Sequence, residues 1–333
     1  MKPWKEQKYA YEESLRYLKG RQTGAITSLQ TPWSKVNDAT TNGLEWHSMI
    51  VIGGRPGSGK TLMKDQLVNK AYELNTTEQF RTLEFSLEML GKNTAIRGFS
   101  AHLGKSYKYL CSADGQLTNE DFNKCLTYAK EFVRYPIDIV ENAPTVEQLV
   151  QIVDEYMEAH TFTEEYTDKE GRLCEREVYT KTIITLDHSL LVRRKKGQNL
   201  NDMLFELGEA ITALKRKYPI IWIILSQLNR SINNPERNED GKYGNYVLES
   251  DIFGADALLQ HADTVIGLNR PAKQKIRFYG PERYIIDSER VLAMHFLKCR
   301  NGEGGIAFFD AAFERMSIED MDTPAQMETR SGR

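Results

Sequence analysis

The apolar residues of this chain gather in short continuous runs. Ser48-Met49-Ile50-Val51-Ile52-Gly53, Arg81-Thr82-Leu83-Glu84-Phe85-Ser86, Tyr135-Pro136-Ile137-Asp138-Ile139-Val140, Thr182-Ile183-Ile184-Thr185-Leu186 and Ile220-Ile221-Trp222-Ile223-Ile224-Leu225 are separated by longer stretches of mixed character. The two β-branched runs from Thr182 and Ile220 lack the alternation of a half-exposed strand, so they predict strands covered on both faces, as in a parallel sheet. Between the runs the apolar spacing becomes helical: from Leu62 to Leu74, after the cap-like Thr118-Asn119-Glu120-Asp121, from Thr145 to Met157, and from Asn201 to Lys217 as a crossover helix. This alternation predicts an α/β fold, a mostly parallel central sheet flanked by helices, with ligands bound at the carboxyl ends of the strands.

The ends of the chain read differently. From Glu6 to Leu18 charges and aromatics mix at helical spacing, with Tyr9, Tyr11, Leu15 and Leu18 available for a stripe, so a short N-terminal helical arm is expected. Residues 20–42 are turn-rich, and the core is expected to begin with the strand at Ser48. The polar segment from Thr161 to Thr180 reads as a surface hairpin turning at Lys169-Glu170-Gly171-Arg172. Val291–Leu297 and Ile306–Phe309 flank Asn301-Gly302-Glu303-Gly304-Gly305, a second hairpin. The residues after about Asp320 are polar and expected to be disordered. The division is therefore an arm over 1–23, one large α/β domain over 24–318 and a tail over 319–333.

Chemistry enters at the end of the first run. Gly54-Arg55-Pro56-Gly57-Ser58-Gly59-Lys60-Thr61 matches GxxxxGK[ST], follows a strand and opens a helix, which is the context a phosphate-binding P-loop requires. Glycines let backbone N–H groups wrap a phosphate at a helix N-terminus; Lys60 would reach the β- and γ-phosphates of ATP and Thr61 would hold Mg²⁺. Asp187 ends an apolar strand, where the Mg²⁺-organising carboxylate must sit to face the loop from the neighbouring strand. Glu88 lies just beyond a strand end and would project over the same crevice as a general base; Glu84, inside the strand, is the competing carboxylate and should point to one face of the sheet. Gln227 ends the next strand, with Asn229 and Arg230 close behind, and an amide there can sense a γ-phosphate. Lys298 and Arg300 alternate along one strand face, either as a solvated edge or as cations reaching a neighbour's nucleotide.

Composition narrows the class without adding chemistry. Hydrophobic residues at 40% and charged residues at 27% over 333 residues are ordinary for a globular protein, and no apolar run is long enough to cross a bilayer. The N-terminus lacks a signal-peptide core, so a cytoplasmic protein without a membrane partner is expected. The four cysteines are scattered, which suggests neither a zinc site nor a disulfide framework. A net charge of −3 does not advertise nucleic-acid binding, so any such contact needs a local patch. Arg193-Arg194-Lys195-Lys196 before Gly197-Gln198-Asn199 is one, although such runs are commonly solvated loops.

Taken in order, the Gly54–Thr61 loop, Phe85-Ser86-Leu87-Glu88-Met89, Leu186-Asp187, Leu225-Ser226-Gln227-Leu228-Asn229-Arg230-Ser231 and Lys298-Cys299-Arg300-Asn301-Gly302 resemble the motifs of the DnaB-type replicative helicase motor domain, a RecA-like ATPase. The resemblance runs from about Gly24 to Asp310. It implies Lys60 at phosphate, Thr61 and Asp187 at Mg²⁺, Glu88 as catalytic base, Gln227 as γ-phosphate sensor, and Lys298 and Arg300 acting in trans on the adjacent subunit of a hexameric ring around single-stranded DNA. A primase or helicase loader is implied as a partner. The arm resembles the family's linker helix, which docks on the next subunit; the family's separate N-terminal helical domain has no counterpart in this sequence. His188 follows Asp187 where the family usually has an aromatic residue, and reads as a packing or hydrogen-bonding residue. Glu249-Ser250-Asp251-Ile252-Phe253-Gly254-Ala255-Asp256, before Gln260-His261-Ala262-Asp263, resembles the family's central DNA-binding loop, longer and with little positive charge, and the run from Arg193 to Lys196 falls at the other loop facing the pore. The function expected is an ATP-driven helicase motor on single-stranded DNA; a filament-forming recombinase or mediator ATPase and a non-unwinding regulatory ATPase are the alternatives.

Overall fold

The computed structural model of the chain describes residues 4, 6–167, 171–229, 232, 237 and 246–327. Helix α1 (Gln7–Thr23) forms the arm and α2 (Ser34–Ala39) precedes β1 (Ser48–Gly54). After the glycine-rich loop come α3 (Lys60–Leu74), β2 (Phe80–Ser86), α4 (Gly91–Leu103), α5 (Tyr107–Cys111), α6 (Asn119–Phe132) and β3 (Ile137–Val140). Helix α7 (Val146–Ala159) leads into the antiparallel pair β4 (Thr161–Thr167) and β5 (Leu173–Tyr179); of the expected turn at Lys169-Glu170-Gly171-Arg172, Lys169 and Glu170 lie outside the described residues. There follow β6 (Lys181–Asp187), α8 (Leu200–Lys217), β7 (Ile220–Gln227), α9 (Ala255–His261) and β8 (Thr264–Asn269). The chain closes with the short pair β9 (Phe278–Tyr279) and β10 (Tyr284–Ile285), then β11 (Val291–Cys299), β12 (Gly305–Ala312) and β13 (Ser317–Asp320).

Nine strands make one sheet in the order β13-β12-β11-β8-β1-β7-β6-β2-β3. From β3 to β8 every pairing is parallel, and β11, β12 and β13 add on antiparallel. The β-branched runs occupy its middle, where alternate residues enter two apolar layers: Ile184, Leu186, Trp222 and Ile224 pack with α7 and α8, and Ile183, Ile221, Ile223 and Leu225 with α2 and α3. The helices start where their caps dictate. Thr118 Oγ1 accepts the Asp121 N–H, Thr145 and Gln148 form a reciprocal capping box, and Asn199 Oδ1 accepts the Asp202 N–H.

Two expectations about the ends are corrected. The core begins well before Ser48, because Leu29, Trp33, Val36 and Leu44 are all buried and the Trp33 indole N–H donates to the Ile318 carbonyl at 2.9 Å. Their spacing fits no single period, so periodicity alone does not reveal them. The boundary at 318 falls inside β13, and the polar residues beyond it are tied down by main-chain bonds. Ile285 N–H donates to Ala325 O at 2.8 Å and Met327 N–H to Arg283 O at 3.1 Å. Main-chain pairing needs no apolar side chains, which is why a polar segment can be ordered. Residues 328–333 lie outside the described residues. The arm helix has no buried side chain; it is held through Tyr17, whose hydroxyl donates to Glu45 Oε1 at 2.5 Å, and Arg21, which donates to Ser28 Oγ and Thr41 O, each at 2.9 Å.

Candidate functional site

The register aligns the predicted strand ends along one edge of the sheet. Gly54 stands opposite Gln227, Leu186 opposite Ile224, and Ser86 opposite Asp187, so the carboxyl ends of β1, β7, β6 and β2 lie side by side. The expectation that Asp187 sits on the strand next to the P-loop strand is corrected: β7 intervenes, and Asp187 faces the loop from the second strand over. Buried runs identify strands, but neighbour order is set by crossovers that no local pattern encodes.

The loop has the backbone its glycines predict. Gly57 and Gly59 adopt φ of 74° and 102°, in the left-handed region, and Gly59 is the N-cap of α3. A Cβ on Gly54 would lie 2.1 Å from Ser58 Oγ, so the turn closes only around glycine. Arg55 is half-buried while Pro56 and Gly57 face solvent. Lys60 folds back over the loop, its Nζ donating to Gly54 O at 2.8 Å and Arg55 O at 3.2 Å. Burial lowers the Lys60 pKa, and the Asp187 and Glu88 carboxylates act in the opposite direction. The Ser58 hydroxyl is buried without a hydrogen-bond partner among the described residues. A glycine cradle, an orphaned hydroxyl and a desolvated lysine at a helix N-terminus fit a phosphate chain. Thr61, the first residue after Lys60, and buried Asp187 supply the hydroxyl and carboxylate oxygens that a divalent cation takes.

Glu88 and Glu84 part ways. Glu88 is exposed at the crevice, its Oε2 3.9 Å from His188 Nε2. His188 Nδ1 accepts the Leu190 N–H at 3.3 Å; burial lowers its pKa, opposed by Glu88 and Asp187, so the ring is neutral at physiological pH. Glu84 is buried beneath, 3.0 Å from Lys64 Nζ, which also lies 2.5 Å from Asp65. Lys64 is fully buried and kept protonated by these two carboxylates, while burial raises the Asp65 pKa to about 6.

The end of β7 connects outward. Gln227 O accepts the Phe253 N–H at 2.8 Å, Leu228 bridges Ile252, and Asn229 N–H donates to Asp251 O at 2.6 Å, so the segment resembling the central loop is bonded directly to the end of β7. Glu249 and Ser250 are exposed, Gly254 caps α9 with φ 66°, and Arg230 lies outside the described residues. Of the basic run, Arg193 donates to Gln148 Oε1 at 2.7 Å and Lys195 lies 2.5 Å from Glu147 and 2.7 Å from Glu206. Arg194 and Lys196 are exposed.

Lys298 and Arg300 stand elsewhere. The β11–β8 register shifts between Phe296 and Lys298, and Arg300 lies past the strand end, so the expected alternation on one face is corrected. Lys298 Nζ donates to Leu259 O at 2.5 Å and Arg300 Nη1 lies 3.1 Å from Asp263 Oδ1. Cys299 is opposite Thr264 and Thr264 opposite Ile50, whereas Gly54 is opposite Leu268. Three residues of strand rise or more, roughly 10 Å for Lys298 and 13 Å or more for Arg300, and two strand spacings, roughly 10 Å, therefore separate these cations from their own P-loop.

Three residues beside the loop escape sequence reasoning. The Arg270 guanidinium lies 3.6 Å over the Phe313 ring and donates to Gly57 O at 3.4 Å; a Cβ on Gly59 would meet Phe313 at 3.0 Å and one on Gly57 would meet Lys273 Nζ at 2.9 Å. They arrive from the ends of β8 and β12, and no spacing links them to the glycines. Among the described residues no cluster of metal-ligating side chains stands apart from this site, and no helix is long and apolar enough to cross a membrane.

The model of the DnaB-like helicase C-terminal domain matches residues 28–317. Replicative DNA helicase DnaB of Geobacillus stearothermophilus is 25% identical over 311 residues, covering 91% of this chain and 60% of that protein. DnaB of Buchnera aphidicola subsp. Acyrthosiphon pisum is 27% identical over 247 residues, covering 74% of this chain and 47% of its own length. The chain thus spans roughly half of the curated relatives it matches. Among solved structures, an ATPase domain superposes with a TM-score of 0.74 at 17% identity over 93% of this chain and 98% of that one. A DnaB-like replicative helicase, solved in a study of its interactions with primase, gives 0.72 at 16% identity over 93% of this chain and 66% of that one. The fold is therefore the RecA-like one the resemblance implies.

Proposed function

The chain belongs to the DnaB-like helicase C-terminal family, and from that premise we propose that it is an ATP-driven motor that moves on single-stranded DNA as a ring of six copies. The observation that carries the reading is that the residues the resemblance assigns to one site lie at two opposite edges of the sheet. Gly54, Lys60, Thr61, Asp187, Glu88 and Gln227 gather at one edge, while Lys298 and Arg300 stand at the other, too far from their own loop to serve it.

In this reading the loop N–H groups and Lys60 hold the phosphates, Lys60 leaving the Gly54 and Arg55 carbonyls to do so. Mg²⁺ held through Thr61 and Asp187 supplies charge neutralisation. Glu88 orients water for in-line attack and takes its proton, and Arg270 with Phe313 offers the nucleobase a stacking surface. Arg300 and Lys298 of the adjacent copy stabilise the developing charge, a contribution of roughly 10³–10⁵ in rate where such groups have been measured. Gln227 passes loss of the γ-phosphate to Phe253 through its main-chain bond, and the strand end passes it to Asp251 through the Asn229 N–H, shifting the 249–254 segment against the strand. Arg194 and Lys196, exposed in the basic run, are the cations placed to meet DNA phosphate. The exposed Tyr11, Leu15 and Leu18, which share one face of α1, suit docking on the next copy. A primase or a loader belongs to the same reading, as one structural neighbour was studied with primase.

The test is ATP hydrolysis with and without single-stranded DNA, with release of a forked duplex followed in the same reaction. Stimulation with strand release is expected, and Lys60→Ala should abolish both. Stimulation without release would favour a filament, and no stimulation a regulatory ATPase.

A further inference from the structure

We propose that Asp263 is the positioning residue for Arg300: it aims the guanidinium at the neighbouring copy's nucleotide, and the inference rests on Arg300 acting in trans. A cation that must meet a phosphoryl group across an interface needs a fixed base, since a misplacement of about 1 Å can cost a hundredfold in rate. Arg300 is half-exposed at a strand end and would otherwise sweep through many rotamers.

Asp263 holds it twice. Its Oδ1 lies 3.1 Å from Arg300 Nη1, and its carbonyl accepts the Arg300 N–H at 2.8 Å, so both the side chain and the main chain of Arg300 are referred to one residue. Asp263 is itself immobilised. Its Oδ2 accepts the Met49 N–H at 2.9 Å and pairs with the buried Lys215 ammonium, while its own N–H donates to Met49 O at 2.8 Å. Met49 belongs to β1, the strand that ends in the P-loop, and Asp263 lies between α9 and β8. The carboxylate thus fixes Arg300 to the strand that carries its own copy's P-loop, at the strand's opposite end. One contact to Nη1 leaves the rest of the guanidinium fork free to meet phosphate.

The test is complementation of hydrolysis in mixed assemblies. Asp263→Asn keeps the acceptor for the Met49 N–H and removes the charge that orients Arg300. Alone it should lower kcat roughly tenfold to hundredfold with little change in the KM for ATP. Mixed with Glu88→Ala subunits, whose Asp263 and Arg300 are intact, it should regain turnover, as Arg300→Ala does in the same mixture. Asp263→Glu, which keeps the ion pairs but shifts the carboxylate by one methylene, should fall between Asn and the wild type and serves if Asp263→Asn folds poorly. An unchanged kcat would overturn the assignment. So would a loss that Glu88→Ala subunits fail to restore while they restore Arg300→Ala, because that marks damage to the variant's own P-loop. Failure of both mixtures with oligomers intact would instead overturn the shared site and the role of Asp263 with it.

Discussion

Replacing Lys64 by Met should destabilise the fold in a pH-dependent manner. Lys64 is fully buried between Glu84 at 3.0 Å and Asp65 at 2.5 Å, and it ties β2 to the helix that carries Lys60 and Thr61. Methionine keeps the length of the side chain and removes the charge, leaving two buried carboxylates without the ammonium that pairs them, Arg97 acting on Asp65 only weakly. Breaking such a pair costs about 3–5 kcal/mol. Protonation sets a ceiling, because a carboxyl with an unfolded pKa near 4 escapes its charge at about 1.4 kcal/mol per pH unit above that value. The ceiling is about 2 kcal/mol per group at pH 5.5 and about 5 at pH 8. A carboxyl whose folded pKa exceeds its unfolded one binds more protons folded than unfolded, so stability is lost as pH rises between the two. Asp65, with its pKa at about 6, already behaves this way in the native chain, and should do so more strongly in the variant. Urea unfolding followed by circular dichroism should therefore give a loss of about 3–5 kcal/mol at pH 8 that shrinks to about 2 at pH 5.5. Adding Glu84→Gln and Asp65→Asn to Lys64→Met should restore most of the stability. A loss below about 1 kcal/mol at pH 8 with no pH dependence would refute the cluster as a buried charge network.

Glu88→Gln should leave ATP binding, read by a fluorescent nucleotide, close to wild type while hydrolysis falls by at least about 10². Phe313→Ala should raise the KM for ATP several-fold with kcat little changed, since the ring stacks beside the loop rather than at the phosphates. Gly59→Ala, at φ 102° and 3.0 Å from the Phe313 ring, should cost on the order of 1–3 kcal/mol in thermal denaturation and weaken nucleotide binding. Trp33→Ala should lose about 3–5 kcal/mol through the cavity and the lost bond to Ile318 O, a larger effect than any exposed substitution on α1.

The sheet and the phosphate loop were legible because both write local demands into neighbouring residues. A buried parallel strand needs an unbroken apolar run, and a loop that wraps an anion needs glycine at set intervals; Ile220–Leu225 and Gly54–Thr61 meet those demands on their own. Asp187 and Gln227 were legible as strand ends for the same reason, each closing such a run. Neighbour order was not: nothing near Thr182 or Ile220 says that β7 lies between β1 and β6. Contacts made by residues far apart in sequence were equally hidden. Trp33 meets Ile318 across 285 residues and Arg270 meets Gly57 across 213. Glu84 could be placed off the crevice by strand alternation, but nothing local marks Lys64 on α3 as its partner.

The placement of Arg300 and the P-loop on opposite edges of one sheet sets a stoichiometry. If each complete site joins two copies head to tail, a lone chain carries two halves that cannot meet, and an open row of n copies holds n − 1 sites. Closure supplies the last one. Turnover per chain should then climb with protein concentration and level off when rings are complete, so dilution alone would silence the enzyme without unfolding it.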